Sequence, residues 1–99
     1  MAEELYKQPS ESRLYHFVFS NLLASDEVIS SVTSVTQENL GKVAGSSDLT
    51  LGTPTSSTDT AQIRLSDGTE NETYKLTAII VTDSSNILEL DGILHVREL

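Results

Sequence analysis

The chain has 99 residues and a mass of 10.8 kDa, and its 15 acidic residues against six basic ones leave a formal charge of -9 and a pI near 4.4. That length sustains one small core, with roughly 65% of the unfolded surface buried on folding, and the charge has the wrong sign for neutralising a phosphate backbone, so nucleic acid is not an expected partner. The absence of cysteine removes disulfide frameworks, thiolate zinc sites and thiol nucleophiles.

Residues 1–13 are mostly polar and contain Pro9, with Leu5 and Tyr6 as the apolar positions available for burial. They read as an extended N-terminal arm: either a frayed terminus or a segment that docks on a neighbouring subunit through Leu5 and Tyr6. The opening Met1-Ala2-Glu3-Glu4 lacks the basic and apolar regions of a signal peptide, and no apolar run approaches the length of a membrane span. The expectation is a soluble protein made in a cytoplasm, with no membrane partner.

A single domain is expected over 14–99. Serine and threonine make up 25 of the 99 residues, and threonine and valine suit a pleated surface. Tyr15, Phe17 and Phe19 share one face at strand spacing and should anchor the core, with Leu14, His16 and Val18 opposite. Asn21 to Glu27 reads as a turn. Val28 to Thr36 is a second strand, β-branched on both sides, whose inner face the alternation leaves open. Gln37 to Gly45 is a connection with a possible short strand at Lys42-Val43-Ala44, and Ser47 to Gly52 is a short third strand. Thr53 to Thr58 is a loop, because Pro54 removes a ladder donor.

Thr60 to Ser66 shows the cleanest alternation, with Ala61, Ile63 and Leu65 on one side. Asp67-Gly68 is a turn signal leading into the acidic loop Thr69 to Glu72. Thr73 to Thr82 places Tyr74, Leu76, Ala78 and Ile80 inward, Asp83 to Asn86 is a hairpin turn, and Ile87 to Arg97 alternates Leu88, Leu90, Gly92, Leu94 and Val96 inward. The internal glycine predicts a bulge or kink at Asp91-Gly92. About seven antiparallel strands of this kind predict an all-β domain, an immunoglobulin-like sandwich with an N-terminal arm. Tyr74 is either a tyrosine corner, its hydroxyl bonded back to the upstream turn, or simply a core aromatic.

No constellation carries catalysis. His16 and His95 fall on outer faces with no adjacent acid or base, and no nucleophile elbow, phosphate cradle or HExxH helix is present. Asp67, Glu70 and Glu72 cluster in one turn, but their spacing matches no EF-hand, so no metal or other cofactor is expected. Asn71-Glu72-Thr73 matches the glycosylation acceptor only formally. What remains is surface, and an acidic surface favours a basic partner.

Several strings have a familiar order: Lys7 and Pro9 before an aromatic strand (Tyr15-His16-Phe17-Val18-Phe19-Ser20), then Leu22-Leu23 and Ile29-Ser30-Ser31. Leu65-Ser66-Asp67-Gly68-Thr69 runs into Tyr74-Lys75-Leu76-Thr77, and Leu94-His95-Val96 closes the pattern. From about Lys7 to Val96 the chain resembles the small immunoglobulin-like structural proteins of tailed bacteriophages, described as fibre-to-tail or head-to-tail adaptors. It departs from them at Asp67 and Asn71, where glycines are common, and at His16, where an acidic residue is.

The resemblance implies a non-enzymatic virion component assembled in the host cytoplasm. It would be present in several copies in the neck or tail, bridging connector, tail or fibre proteins. The expected contact residues are Leu5 and Tyr6 on the arm, Thr53, Pro54 and Thr55 in one loop, and Glu70, Asn71 and Glu72 in another. A capsid decoration protein is the first alternative. A carbohydrate-binding host-recognition module is the second, and it has little support in a chain without tryptophan.

Overall fold

The computed structural model describes residues 3–41 and 47–98. The possible strand at Lys42-Val43-Ala44 lies outside them. Eight strands follow in order: β1 (Glu3–Lys7), β2 (Arg13–Val18), β3 (Ile29–Asn39), β4 (Leu49–Leu51), β5 (Thr55–Ser56), β6 (Thr60–Asp67), β7 (Thr73–Thr82) and β8 (Ile87–Val96). No helix occurs among the described residues. One sheet has the order β1-β8-β7-β3; in the other, β6 pairs with β2 along one side and with β4 and β5 along the other. The molecule measures 44 × 20 × 20 Å.

Period-2 alternation decides what each sheet buries. In β7, Tyr74, Leu76, Ala78 and Ile80 are fully buried, while Lys75, Thr77, Ile79 and Val81 between them are half-exposed. Tyr15 and Phe17 meet Ile63 and Ala61 across the β2–β6 ladder, and Phe19, Leu65, Leu94 and Val96 complete one core shared by the two sheets. Each large apolar side chain so enclosed contributes about 1.5–3 kcal/mol relative to exposure.

The ambiguous inner face of β3 has a structural cause. Its pairing with β7 slips between Ile29 and Ser31 and again between Val32 and Ser34, so Ser30 and Thr33 are extra residues and both face solvent. Two bulges convert the spacing of core-facing residues from two to three, placing Ile29, Val32 and Val35 against the core. The bulge expected at Asp91-Gly92 does not occur. The β7–β8 ladder is continuous from Thr73↔His95 to Val81↔Ile87, with Gly92 opposite Leu76. β8 has neighbours on both sides and must hold register with each, whereas β3 is an edge strand whose unpaired side tolerates an extra residue.

Two further expectations are corrected. The segment expected as a free arm supplies β1, which pairs in parallel with β8 from Glu3↔Gly92 to Lys7↔Val96, so the pairing is not wholly antiparallel. The link between β1 and β2 crosses to the other sheet, which leaves β1 running in the same direction as the last strand. Within Thr53–Thr58, Thr55 and Ser56 pair with Gln62 and Ala61 as β5. Pro54 is tolerated because it precedes a strand at an edge.

Side-chain hydrogen bonds tie the sheets together at their rims. The Tyr15 hydroxyl donates to the Tyr6 carbonyl at 2.8 Å, joining β2 to β1. On the other side, the Gln37 amide donates to Leu49 O at 2.7 Å and accepts from Leu49 N at 2.8 Å, joining β3 to β4 as a backbone would. At one end the buried Tyr74 hydroxyl accepts from Thr69 N at 2.9 Å and donates to Ser47 O at 2.6 Å. It therefore does bond back to the upstream turn. Gly68, at φ +88, packs beneath it where an added Cβ would lie 2.8 Å from Leu49 Cδ2.

At the opposite end Glu27 organises the turns. Its Oε1 accepts from Ala24 N at 2.8 Å, and its Oε2 accepts from Thr82 Oγ1 at 2.6 Å and Asn86 Nδ2 at 2.8 Å. Those bonds, led by the Ala24 amide, lower its pKa below the ordinary carboxylate value, against a smaller opposing effect of burial.

Two outcomes follow from these contacts. Tyr74→Phe takes the hydroxyl away from the part-buried Thr69 amide and Ser47 carbonyl and should cost about 0.5–1.5 kcal/mol, read as a lower urea midpoint at unchanged m; an unaltered midpoint would show that the hydroxyl contributes nothing. Because the folded pKa of Glu27 is depressed, its stabilisation is complete above the unfolded carboxylate pKa and is lost as pH falls through the folded value. Glu27→Gln should therefore melt lower than the parent near neutrality, with the gap closing in acid, in thermal melts run across pH.

Candidate functional site

Among the described residues no pocket opens and no three potential metal-ligating side chains gather. The carboxylates of the acidic turn do not converge. Asp67 accepts from Thr50 Oγ1, and Glu72 is only 6% exposed and faces the Asn39 amide at 3.4 Å, leaving Glu70 in solvent. His16 and His95 stand on different sheets.

The expected contact residues separate into three places. Leu5 packs against the chain's own core, and Tyr6 points outward at the edge of the β1 sheet. Glu70 and Asn71 lie exposed in the turn before β7, where Asn71 N donates to Val96 O at 2.7 Å, so this turn and the end of β1 share one end of the molecule. Thr53, Pro54 and Thr55 lie beside β6 on the side away from β2, across the molecule from Tyr6. Glu72, an expected contact, is buried. The turn folds back so that Glu72 O accepts from Val96 N at 3.1 Å, and its side chain goes inward with the alternation of β7.

Sequence reasoning did not reach the residues that hold β1. Lys7 is fully buried, its Nζ donating to Gln8 O at 2.8 Å and Pro9 O at 3.1 Å. Burial lowers its pKa, opposed by the nearby carboxylates of Glu11 and Asp67. Burial raises the pKa of Tyr15, which keeps its hydroxyl available as the donor to β1. On the outer face Tyr6 stacks on the His95 ring at 5.1 Å, and His95 Nε2 contacts Glu4 Oε1 at 2.6 Å. The only signal in the sequence was the alternation of Leu5 and Lys7 with Glu4 and Tyr6, too short to distinguish a strand from a polar tail.

The two outer faces carry opposite chemistry. On the sheet of β1, β8, β7 and β3, the outward positions include Glu4, Glu38, Glu89 and Asp91 against one ammonium, Lys75, which lies 3.9 Å from Asp91. Ile79, Val81 and Ile87 adjoin one another at its hairpin end, and Ile87 is 72% exposed. On the other sheet, the outward residues of β2 and β6 include Leu14, His16, Val18 and Arg64, with Leu14 45% and Val18 53% exposed. The strands of that sheet hold one carboxylate, Asp67, at the far end of β6; Arg13, at the start of β2, lies on the other side of the strand, opposite Leu65 and over the Tyr15 ring. An acidic protein therefore keeps one face nearly free of acid.

Comparison with known proteins bears on what such faces are for. A family model described as "Gp77: Podophage GP4 fiber-tail adaptor protein gp77" matches residues 7–95. No curated protein matches the chain.

Proposed function

The chain belongs to the podophage fiber-tail adaptor family, a non-enzymatic structural component of the phage tail, and from that premise we propose that it joins fibre to tail by protein–protein contact alone. The carrying observation is the family match over 7–95, nearly the whole domain. As an adaptor it binds other virion proteins. We assign a fibre protein and a tail or connector protein as those partners, with several copies per particle assembled in the host cytoplasm.

An immunoglobulin-like sandwich is the topology we assign, with residues 1–13, which supply edge strand β1, leading into the rest of the domain over 14–99. The Tyr74 hydroxyl bonded back to the upstream turn supports it, since that bond is a recurrent device of such domains. For the contact set, Tyr6, Glu70 and Asn71 form one cluster and Thr53, Pro54 and Thr55 another, on opposite sides of the molecule. An adaptor needs two such surfaces, one for each partner. Leu5 and Glu72 support these clusters from within. No observation favours shell decoration or sugar binding over this reading.

Phage that lack the protein should assemble heads and tails but carry no fibres, as seen by electron microscopy of purified particles. Fully fibred particles without the chain would refute the assignment. Tyr6→Ala combined with Glu70→Arg should retain the parent's circular dichroism and melting temperature within a few degrees, while fibre occupancy falls. Replacing Thr53 and Thr55 by arginine should weaken attachment to the opposite partner instead.

A further inference from the structure

Two outer faces of one small domain differ in charge and each exposes apolar side chains. Leu14 and Val18 stand out of the β2 face with Arg64 and His16 around them. Ile79, Val81 and Ile87 stand out of the β7–β8 face with Glu89, Asp91 and Glu38 around them. These are complementary sets: an apolar patch with one guanidinium, Arg64, and an apolar patch with carboxylates. We propose that the β2–β6 face of one copy docks on the β7–β8 face of a second copy of this chain, the contact that sets neighbouring adaptors side by side.

The order along the faces agrees with this pairing. Phe19 N donates to Asp59 O, and Asp83 N to Val28 O, so the end of β2 and the β7–β8 hairpin occupy the same end of the molecule. Val18 is thus at the same end as Val81 and Ile87, and Arg64 and Asp91 each lie part-way along their strands. A copy shifted sideways without being turned end for end places Val18 over Val81 and Ile87, and Arg64 over the Glu89–Asp91 stretch. A face with a 44 × 20 Å outline has the size of the roughly 800 Å² that each partner gives to a standard interface.

Charge also favours these faces for a second copy. Two chains of net charge -9 repel one another wherever acid meets acid, and Arg64 stands on an outer face where the outward residues of β2 and β6 include no carboxylate. The contact is heterologous, since different patches meet, and such contacts propagate into rings or rows. That suits a multi-copy tail component, and the inference rests on the adaptor reading to that extent.

Sedimentation velocity of the purified full chain at about 0.15 M salt, where screening extends beyond about 8 Å, should show reversible association as the protein approaches about 1 mM. Val18→Asp and Ile87→Arg, both at exposed positions, should each weaken association at least about tenfold. Mixed together they should form a one-to-one dimer and nothing larger, because each variant retains the face that the other has lost. The pair Arg64→Glu and Glu89→Arg should likewise fail singly and recover when mixed.

A parent chain that remains monomeric overturns the proposal, as does association unaltered in the variants. Variants that fail singly and also fail when mixed indicate a two-fold contact and overturn it too. Loss of Val18→Asp from particles while the parent is monomeric in solution assigns the face to another virion protein, again against the proposal. Fibred particles built from a chain that does not self-associate would refute this inference and leave the fibre-to-tail reading intact.

Discussion

Every backbone polar group shut away from water must find a partner, and two facing sheets meet this demand along their ladders but not at their rims. This protein closes its rims with side chains. Tyr15 reaches the carbonyl of Tyr6, Gln37 clasps both polar atoms of Leu49, and Tyr74 pins Thr69 to Ser47. Three side chains thus join strands that no ladder joins, and among the described residues no buried side-chain nitrogen or oxygen is left unpaired. In a domain this small, with only about 65% of its unfolded surface removed from water, such links count for much of what separates a fixed shape from two sliding layers.

The same requirement frees the outer faces. With core and rims settled by inward residues, outward positions vary in charge and polarity at little energetic cost. The outward carboxylates of β1, β3 and β8 are gathered on one sheet, while the outward residues of β2 and β6 on the other include Arg64 and no carboxylate. A rigid scaffold with two distinct surfaces is what bridging asks for, and it needs no cleft. Fold alone does not carry that conclusion; it comes from the family match together with faces that differ from each other.

Legibility differed strand by strand for physical reasons. β7 was legible to the residue because it lies inside its sheet, where strict alternation is imposed from both sides. β3 was legible as a strand but not as a face, because two bulges on its free side replace the period of two with steps of three. β1 was not legible at all: five residues hold one apolar core position, and a lysine enters the interior by spending its ammonium donors on the two carbonyls that follow it. Glu72 was misplaced because an acidic turn reads as solvated, while its return path along Val96 is a tertiary contact.

The sequence by itself determined the all-β class, the aromatic and aliphatic core of β2, β6, β7 and β8, the hairpin at Asp83–Asn86 and the resemblance to phage tail adaptors. These rest on alternation and turn chemistry, which act between near neighbours. Only the tertiary structure decided that residues far apart in the chain share a surface: β1 beside β8, Gln37 against Leu49, Tyr6 on His95, and the carboxylates of β1, β3 and β8 on one outer face. Pairing across sheets depends on how strands cross from one layer to the other, and no local period encodes that.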